Sequence, residues 1–193
     1  MVIKRSGLFD ENYYRNTFST PEGIRGSSRA RALGLQAASF QFLLFSDDDD
    51  TVLPNRIIEP MLCISKNPIL DVVYCNFNVI SEDGEITPIY CLPYNEQAYL
   101  NLEFVIGSGI LFGRKHAFLD VPFYSRFNHA IDYDWVFRLR RMGYNIDLCP
   151  EIVMNYNRSG PAELHLAGTE TSNKQHKEIF EREKLLIKMK RKD

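Results

Sequence analysis

The residues best equipped for chemistry are four successive carboxylates, Asp47, Asp48, Asp49 and Asp50, which end the apolar run from Phe40 to Phe45 and stand just ahead of Pro54. Side chains of an extended chain alternate in direction, so Asp47 and Asp49 converge, Asp48 points away, and Asp50 rejoins them if the chain turns. Neighbouring carboxylates repel by roughly 1 kcal/mol per pair at about 4 Å even in water. No basic residue lies nearby in sequence to offset this. A hard divalent cation meets that need, and Mg²⁺ is commonly held by one or two carboxylates together with substrate phosphates. A solvated acidic turn is the alternative reading of the same residues.

A second carboxylate stands apart from these. Asp132 follows the apolar pair Ala130 and Ile131 and precedes Trp135. A carboxylate in such company is partly desolvated, with a raised pKa suited to general-base work. Asp134, in the first turn of the same helix, reads as a partner of the helix dipole. Arg25, Arg29 and Arg31 gather at the start of another helix, where guanidinium groups and the helix N-terminus both favour phosphate; a solvated polar face is the alternative. Gly107 and Gly109 allow close backbone approach, either to a ligand or to a neighbouring strand. His129 and His165 read as structural or exposed residues.

Positioning these groups requires alternating strands and helices. The segment from Gly23 to Ser39 has Ser27 or Ser28 as N-cap and Ala30, Leu33 and Ala37 at helical spacing. It leads at once into the strand Phe40 to Phe45, expected to be buried, and this helix–strand order predicts a largely parallel sheet. Pro54 to Ile64 predicts a helix with Ile57, Ile58, Met61 and Leu62 on its apolar face. The β-branched and aromatic run LDVVYCNFNVI predicts a strand, and Asp83-Gly84 a hairpin turn before a returning strand. Tyr94 to Leu102 holds a short helix, FVIGSGILFGRKHAF a buried strand, and Lys115 to Leu119 a short helix. Asp132 to Met142 is helical with Trp135, Val136, Leu139 and Met142 inward and Gly143 closing it. Asn145 to Asn157 reads as one or two strands, and Asn173 to Lys192 as a charged helix with Ile179, Leu185, Leu186 and Met189 on one side.

The chain has 193 residues, 45% of them hydrophobic and 25% charged, enough for one domain with a real core. A net charge of −2 argues against a general nucleic-acid binder. The four cysteines, Cys63, Cys75, Cys91 and Cys149, are scattered without a Cys-x-x-Cys pair and read as reduced core thiols. No apolar stretch reaches the roughly 18 residues of a membrane span, and the segment Met1 to Thr20 is too polar and acidic for a signal peptide, so the expected compartment is the cytoplasm. The basic end KMKRK allows at most peripheral membrane contact, at the inner face.

In order, the Gly26 to Arg31 segment, Gly34, an apolar strand, Asp47 to Asp50 and Pro54, then Val-Tyr-x-Asn with Asp83-Gly84, the Gly-rich strand before Arg114-Lys115, and Ile131-Asp132-Tyr133-Asp134-Trp135 with Arg138 and Gly143, resemble family 2 glycosyltransferases of the GT-A fold. The resemblance covers roughly residues 23–158. It implies an α/β, GT-A-like domain with a mostly parallel sheet flanked by helices, over 23–160, between an N-terminal arm (1–22) and a C-terminal loop and charged helix (161–193). It further implies transfer of a sugar from a nucleotide-sugar donor to a glycan or lipid-linked hydroxyl acceptor, normally with inversion. Asp49 and Asp50 would hold Mg²⁺ or Mn²⁺ on the donor diphosphate, Arg31, Asp47, Asp48 and Gly109 would contact the donor, and Asp132 would be the catalytic base. Ile131 replaces the glutamate usual in the family's Glu-Asp motif, and Ala32 replaces the asparagine of its Ala-Arg-Asn motif. Only 22 residues precede Gly23, too few for the family's two nucleotide-binding strands, so the expectation is an N-terminally shortened domain. Two functions follow: a metal-dependent glycosyltransferase, or an incomplete, non-catalytic module finished by a partner chain or a second copy. A metal-dependent phosphatase or nucleotidyltransferase fits the acidic cluster but not the Asp132 helix.

Overall fold

The two longest strands lie side by side in the interior of the sheet. In this computed structural model, which describes residues 31, 34–104, 106–121, 123, 130–157 and 170–190, the strands are β1 (Phe42–Leu44), β2 (Thr51–Val52), β3 (Val72–Ile80), β4 (Ile86–Ile89), β5 (Leu111–Arg114) and β6 (Ile146–Asn157). The sheet order is β1-β5-β3-β6-β2, with β4 also on β3. The helices are α1 (Ile58–Lys66), α2 (Glu96–Leu100), α3 (Lys115–Asp120), α4 (Ile131–Arg141) and α5 (Glu170–Lys190), and Ser108–Ile110 form a 3₁₀ turn ahead of β5. Residue 31 and residues 34–37 are helical.

The expectation of a mostly parallel sheet is corrected. Among the described residues only β3 and β6 pair in parallel; β1–β5, β2–β6, β3–β4 and β3–β5 are all antiparallel. The physical reason lies in the connections. Gly84, at φ +84°, makes a tight hairpin that needs no crossover, and the 3₁₀ turn feeds β5 back along β3 in the reverse direction. β5 is held close to its neighbour at Gly113, where an added Cβ would lie 2.8 Å from the Asp71 carbonyl oxygen. The close approach expected at the Gly-rich strand thus falls on Gly113, and Gly107 has open space around it.

Several expected faces are also corrected. The Phe40 strand is three residues long and half-buried, because it lies at the sheet's end with β5 as its neighbour among the described residues; Phe40 itself is exposed. On α1 the buried residues are Pro60 and Ile64, whereas Ile57, Ile58 and Leu62 face outward. A short helix packed on one face of a sheet buries a narrow stripe, and the Ile64 side of α1 is the one that meets β3 and β6. On α5, Ile179 is buried while Leu185 and Met189 are exposed. On α4 the inward set holds for Trp135, Val136 and Leu139, but Met142 lies on the exposed C-terminal turn, which Gly143 closes at φ +81°. No helix among the described residues is long and apolar enough to cross a membrane. Arg25, Arg29, His129 and His165 lie outside the described residues.

The core that matters for the site is aromatic. Phe123 stacks on Trp135 with centroids 4.6 Å apart, Phe118 stacks on Trp135 at 5.3 Å, and Phe45 meets Phe123 edge-on at 4.9 Å. Rings at these separations bury large areas and add directional preference. Through them the end of β1 is fixed against α4, the helix that carries Asp132 in its first turn.

Candidate active site

The acidic residues leave β1 as a turn. Asp50 N–H donates to the Asp47 carbonyl oxygen at 3.3 Å, so the alternation of an extended chain does not apply to them. Asp47 and Asp48 line a cleft of about 530 Å³ that runs between the helical residues 34–37 and β1. Asp48, expected to point away, therefore shares a wall with Asp47. Asp49 is exposed, and Asp50 turns inward. The turn is anchored from the end of β6: Asn157 N–H donates to Asp50 Oδ1 at 3.2 Å, and the Asn157 side chain donates to the Asp49 carbonyl oxygen.

Charge is unevenly matched here. Arg31 pairs with Asp47 at 3.0 Å and lies over the Phe123 ring, 5.9 Å from its centroid. Burial pushes the Asp50 carboxyl up to about 6; the Asn157 N–H opposes the rise, and the charges of Asp49 and Asp47 add to it. A carboxylate held among carboxylates favours a cation. Among the described residues no group of three or more His, Cys, Asp or Glu is arranged to hold a metal ion unaided. A hard cation can also be held by one or two carboxylates when substrate oxygens complete its shell.

Asp132 opens α4 and is only half-buried as a residue, yet its Oδ1 is closed off from solvent and has no hydrogen-bond partner among the described residues. Burial raises its pKa; Arg31 and the N–H and hydroxyl of Ser108 partly offset that rise, and Asp47 adds to it. Ser108 and Gly109 belong to one 3₁₀ turn. Ser108 faces Asp132, and the position of a Cβ on Gly109 lies 3.6 Å from Asp50 Oδ2. A single turn of chain thus touches both carboxylate centres on adjacent residues, and Arg31 acts on Asp47 and Asp132 together. Of the residues predicted from sequence, Arg31, Asp47, Asp50, Gly109 and Asp132 are brought together, Asp48 lies along the cleft wall, and Asp49 lies at the solvent side of the turn.

Three positioning residues were not foreseen. Arg56 is 1% exposed, and its Nη2 donates to the carbonyl oxygens of Gly109 and Leu111, each at 2.8 Å, and to that of Phe45 at 3.5 Å. This guanidinium ties the end of β1 to the 3₁₀ turn through backbone oxygens, which no side-chain pattern announces. Burial lowers its pKa. Ser108 and Asn157 are the other two, and each acts through a contact across more than twenty residues of sequence.

No family model matches the chain, and no curated protein matches it. Among solved structures, it is similar to S. aureus TarS, residues 1-349, with a TM-score of 0.51 and 17% identity over 68% of this chain and 40% of that one. The fold resembles that of this TarS fragment, and the chain spans 40% of the fragment's length. The α/β sheet is mixed.

Proposed function

We propose that the chain is a metal-assisted glycosyltransferase of the family 2 type, moving a sugar from a nucleotide-diphosphate donor to a hydroxyl acceptor with inversion. The observation that carries this reading is the meeting of two carboxylate centres, Asp50 beside Asp49 and Asp132, across Ser108 and Gly109 on a glycosyltransferase-like fold. The donor nucleotide would occupy the cleft beside β1, its diphosphate reaching Asp47 and Asp48 at the cleft's end. Asp49 and Asp50 would hold Mg²⁺ or Mn²⁺ there, and the ion would supply Lewis-acid relief for the charge on the leaving diphosphate. Arg31 would steady the donor side while limiting repulsion between Asp47 and Asp132.

Asp132 would accept the proton of the acceptor hydroxyl. Its Oδ1 lacks a hydrogen-bond partner among the described residues, and an arriving hydroxyl would provide one. The raised pKa makes the carboxylate a stronger base than an exposed aspartate. Ser108 would hold the other side of the carboxylate in orientation.

Calorimetric titration of the full chain with UDP, GDP and dTDP, with and without Mn²⁺, tests the donor half of this reading. Metal-dependent binding of one nucleotide is the expected result, and transfer to a glycan acceptor panel would follow with that nucleotide's sugars. The second reading, a non-catalytic module completed by a partner chain or second copy, draws on the strand β1, which has β5 as its neighbour among the described residues. Failure of a folded chain to bind any of the three nucleotides would favour that module.

A further inference from the structure

The four cysteines, read from sequence as scattered core thiols, are free thiols, but three of them form a contiguous group that the proposed transfer does not use. Cys75 on β3 and Cys149 on β6 are register partners across the parallel pair. Cys63 reaches them from α1, with its Sγ 2.8 Å from the Cys149 Sγ. Cys91 stands apart, against the Cys75 carbonyl oxygen at 3.6 Å. Packing alone does not bring two sulfurs to 2.8 Å, a separation within about 1 Å of the bonded distance of a disulfide. Among the four, Cys63 is the one that is not fully buried, so a small reagent can reach the pair from the α1 side.

We propose that Cys63 and Cys149 are a redox-modification site, a dithiol that closes to a disulfide with a small disulfide oxidant such as oxidised glutathione and so staples α1 to β6. In the first exchange the Cys63 thiolate attacks one sulfur of the oxidant and releases one glutathione thiolate. The Cys149 sulfur then displaces the second glutathione from Cys63. The two cysteine protons end on the two released thiols, so the protein pair loses two electrons and two protons and the oxidant gains both. Burial and the neighbouring Cys149 thiol push Cys63 up to about 12, which keeps the thiolate scarce and the first exchange slow at neutral pH. The staple would join the two elements that bracket the acidic turn. α1 follows Arg56, which clamps the end of β1, and β6 ends at Asn157, which anchors Asp49 and Asp50.

The test uses the full chain, incubated folded with millimolar oxidised glutathione at pH 8.5, then denatured, alkylated and analysed by mass spectrometry and peptide mapping. The expected result is loss of two alkylatable thiols, a mass two hydrogens lower before alkylation, and a linked peptide pair containing Cys63 and Cys149. Closing so long a loop is expected to raise Tm by roughly 10 °C, reversibly with dithiothreitol. Cys63→Ala, which removes a small side chain from a partly exposed site, should stay folded by circular dichroism, form no cross-link and show no oxidant-dependent Tm. Four alkylatable thiols after overnight exposure, a stable glutathione adduct without a cross-link, or a Cys75–Cys149 link would each overturn the proposal. None of these readouts depends on nucleotide binding or sugar transfer.

Discussion

Asp132 and Asp134 stand two residues apart on α4, and their surroundings treat them in opposite ways. Asp134 is buried, and Arg138 pairs with it at 2.6 Å and Arg182 of α5 at 2.7 Å. Arg182 also pairs with Glu183 at 2.6 Å, and Arg141 binds Glu183 in turn. Burial raises the Asp134 pKa, but the two arginines outweigh burial and hold it below the ordinary carboxylate range. Asp132 has one oxygen unpartnered among the described residues and a raised pKa. The difference shows where this helix serves the fold and where it is available for chemistry: a buried carboxylate matched by guanidinium groups is structural, and one left short of partners favours a ligand or a proton. Asp134, expected from sequence to be a helix-dipole partner, is thereby corrected to a buried ion-pair centre linking α4 to α5.

The largest effect should come from breaking the matched side. Asp134→Ala leaves Arg138 and Arg182 without their shared buried carboxylate and is expected to destabilise the chain by about 3–5 kcal/mol, lowering Tm by about 10 °C. Urea or thermal unfolding measures it, and a loss below about 1 kcal/mol would mean the network is not structural. On the unmatched side the sign reverses. Asp132→Asn should leave Tm unchanged or slightly higher, because it removes a buried charge with an unpartnered oxygen, while lowering sugar transfer by about 10²–10⁴-fold. Transfer that survives in the folded variant would remove Asp132 from the role of base.

The next effect separates the two environments by pH. Asp50 has a folded-state pKa of about 6 against an ordinary value of 3.8. Between those values the folded state holds the proton more tightly than the unfolded chain does. Stability is therefore fully present below the unfolded value and is lost as pH rises through about 6. Asp50→Asn removes that loss, so it should stabilise the metal-free chain at pH 7.5 relative to pH 4, by on the order of 1 kcal/mol once solvent screening is allowed for. Asp134 has the opposite sign: its stabilisation is present above the unfolded value and is lost as pH falls below it through the depressed folded value. Parallel Tm profiles of wild type, Asp50→Asn and Asp134→Asn against pH would check both signs.

The smallest effect should come from Ser108→Ala. Removing the hydroxyl that favours the charged form of Asp132 should move the acid limb of the transfer rate upward by less than one pH unit, with the fold unchanged. An unmoved limb would separate Ser108 from the base.

Much of the fold was legible locally. The run from Val72 to Ile80, the Asp83-Gly84 hairpin, the short helix near Glu96 and the Gly143-terminated helix all follow from period and turn chemistry, because neighbours in sequence decide them. Strand direction was not legible, since a strand carries the same alternation whichever way its partner runs. The buried face of α1 was also misread: Ile57, Ile58 and Leu62 satisfy helical spacing as well as Pro60 and Ile64 do, and only the position of the sheet selects between them. At the site, Asp132 and the Asp47 to Asp50 cluster were visible as residue types in unusual company. Arg56, Ser108 and Asn157 were not, because they act on backbone atoms or distant side chains and leave no periodic trace.

By itself the sequence determined most of the segments that form strands and helices, where acid is concentrated, and that one aspartate stands in the first turn of a helix with an apolar face, all consequences of local stereochemistry and solvation; the strand at Thr51–Val52 and the 3₁₀ turn at Ser108–Ile110 were not among them. Tertiary structure decided which carboxylate is neutralised and which is left short of partners. It set Arg182 from α5 against Asp134, Ser108 against Asp132, and Cys63 against Cys149. The reason is that charge pairing and thiol contact depend on distance in space, with charges screened beyond about 10 Å at 0.1 M salt, and chain contacts tens of residues apart are fixed only when the sheet brings them together.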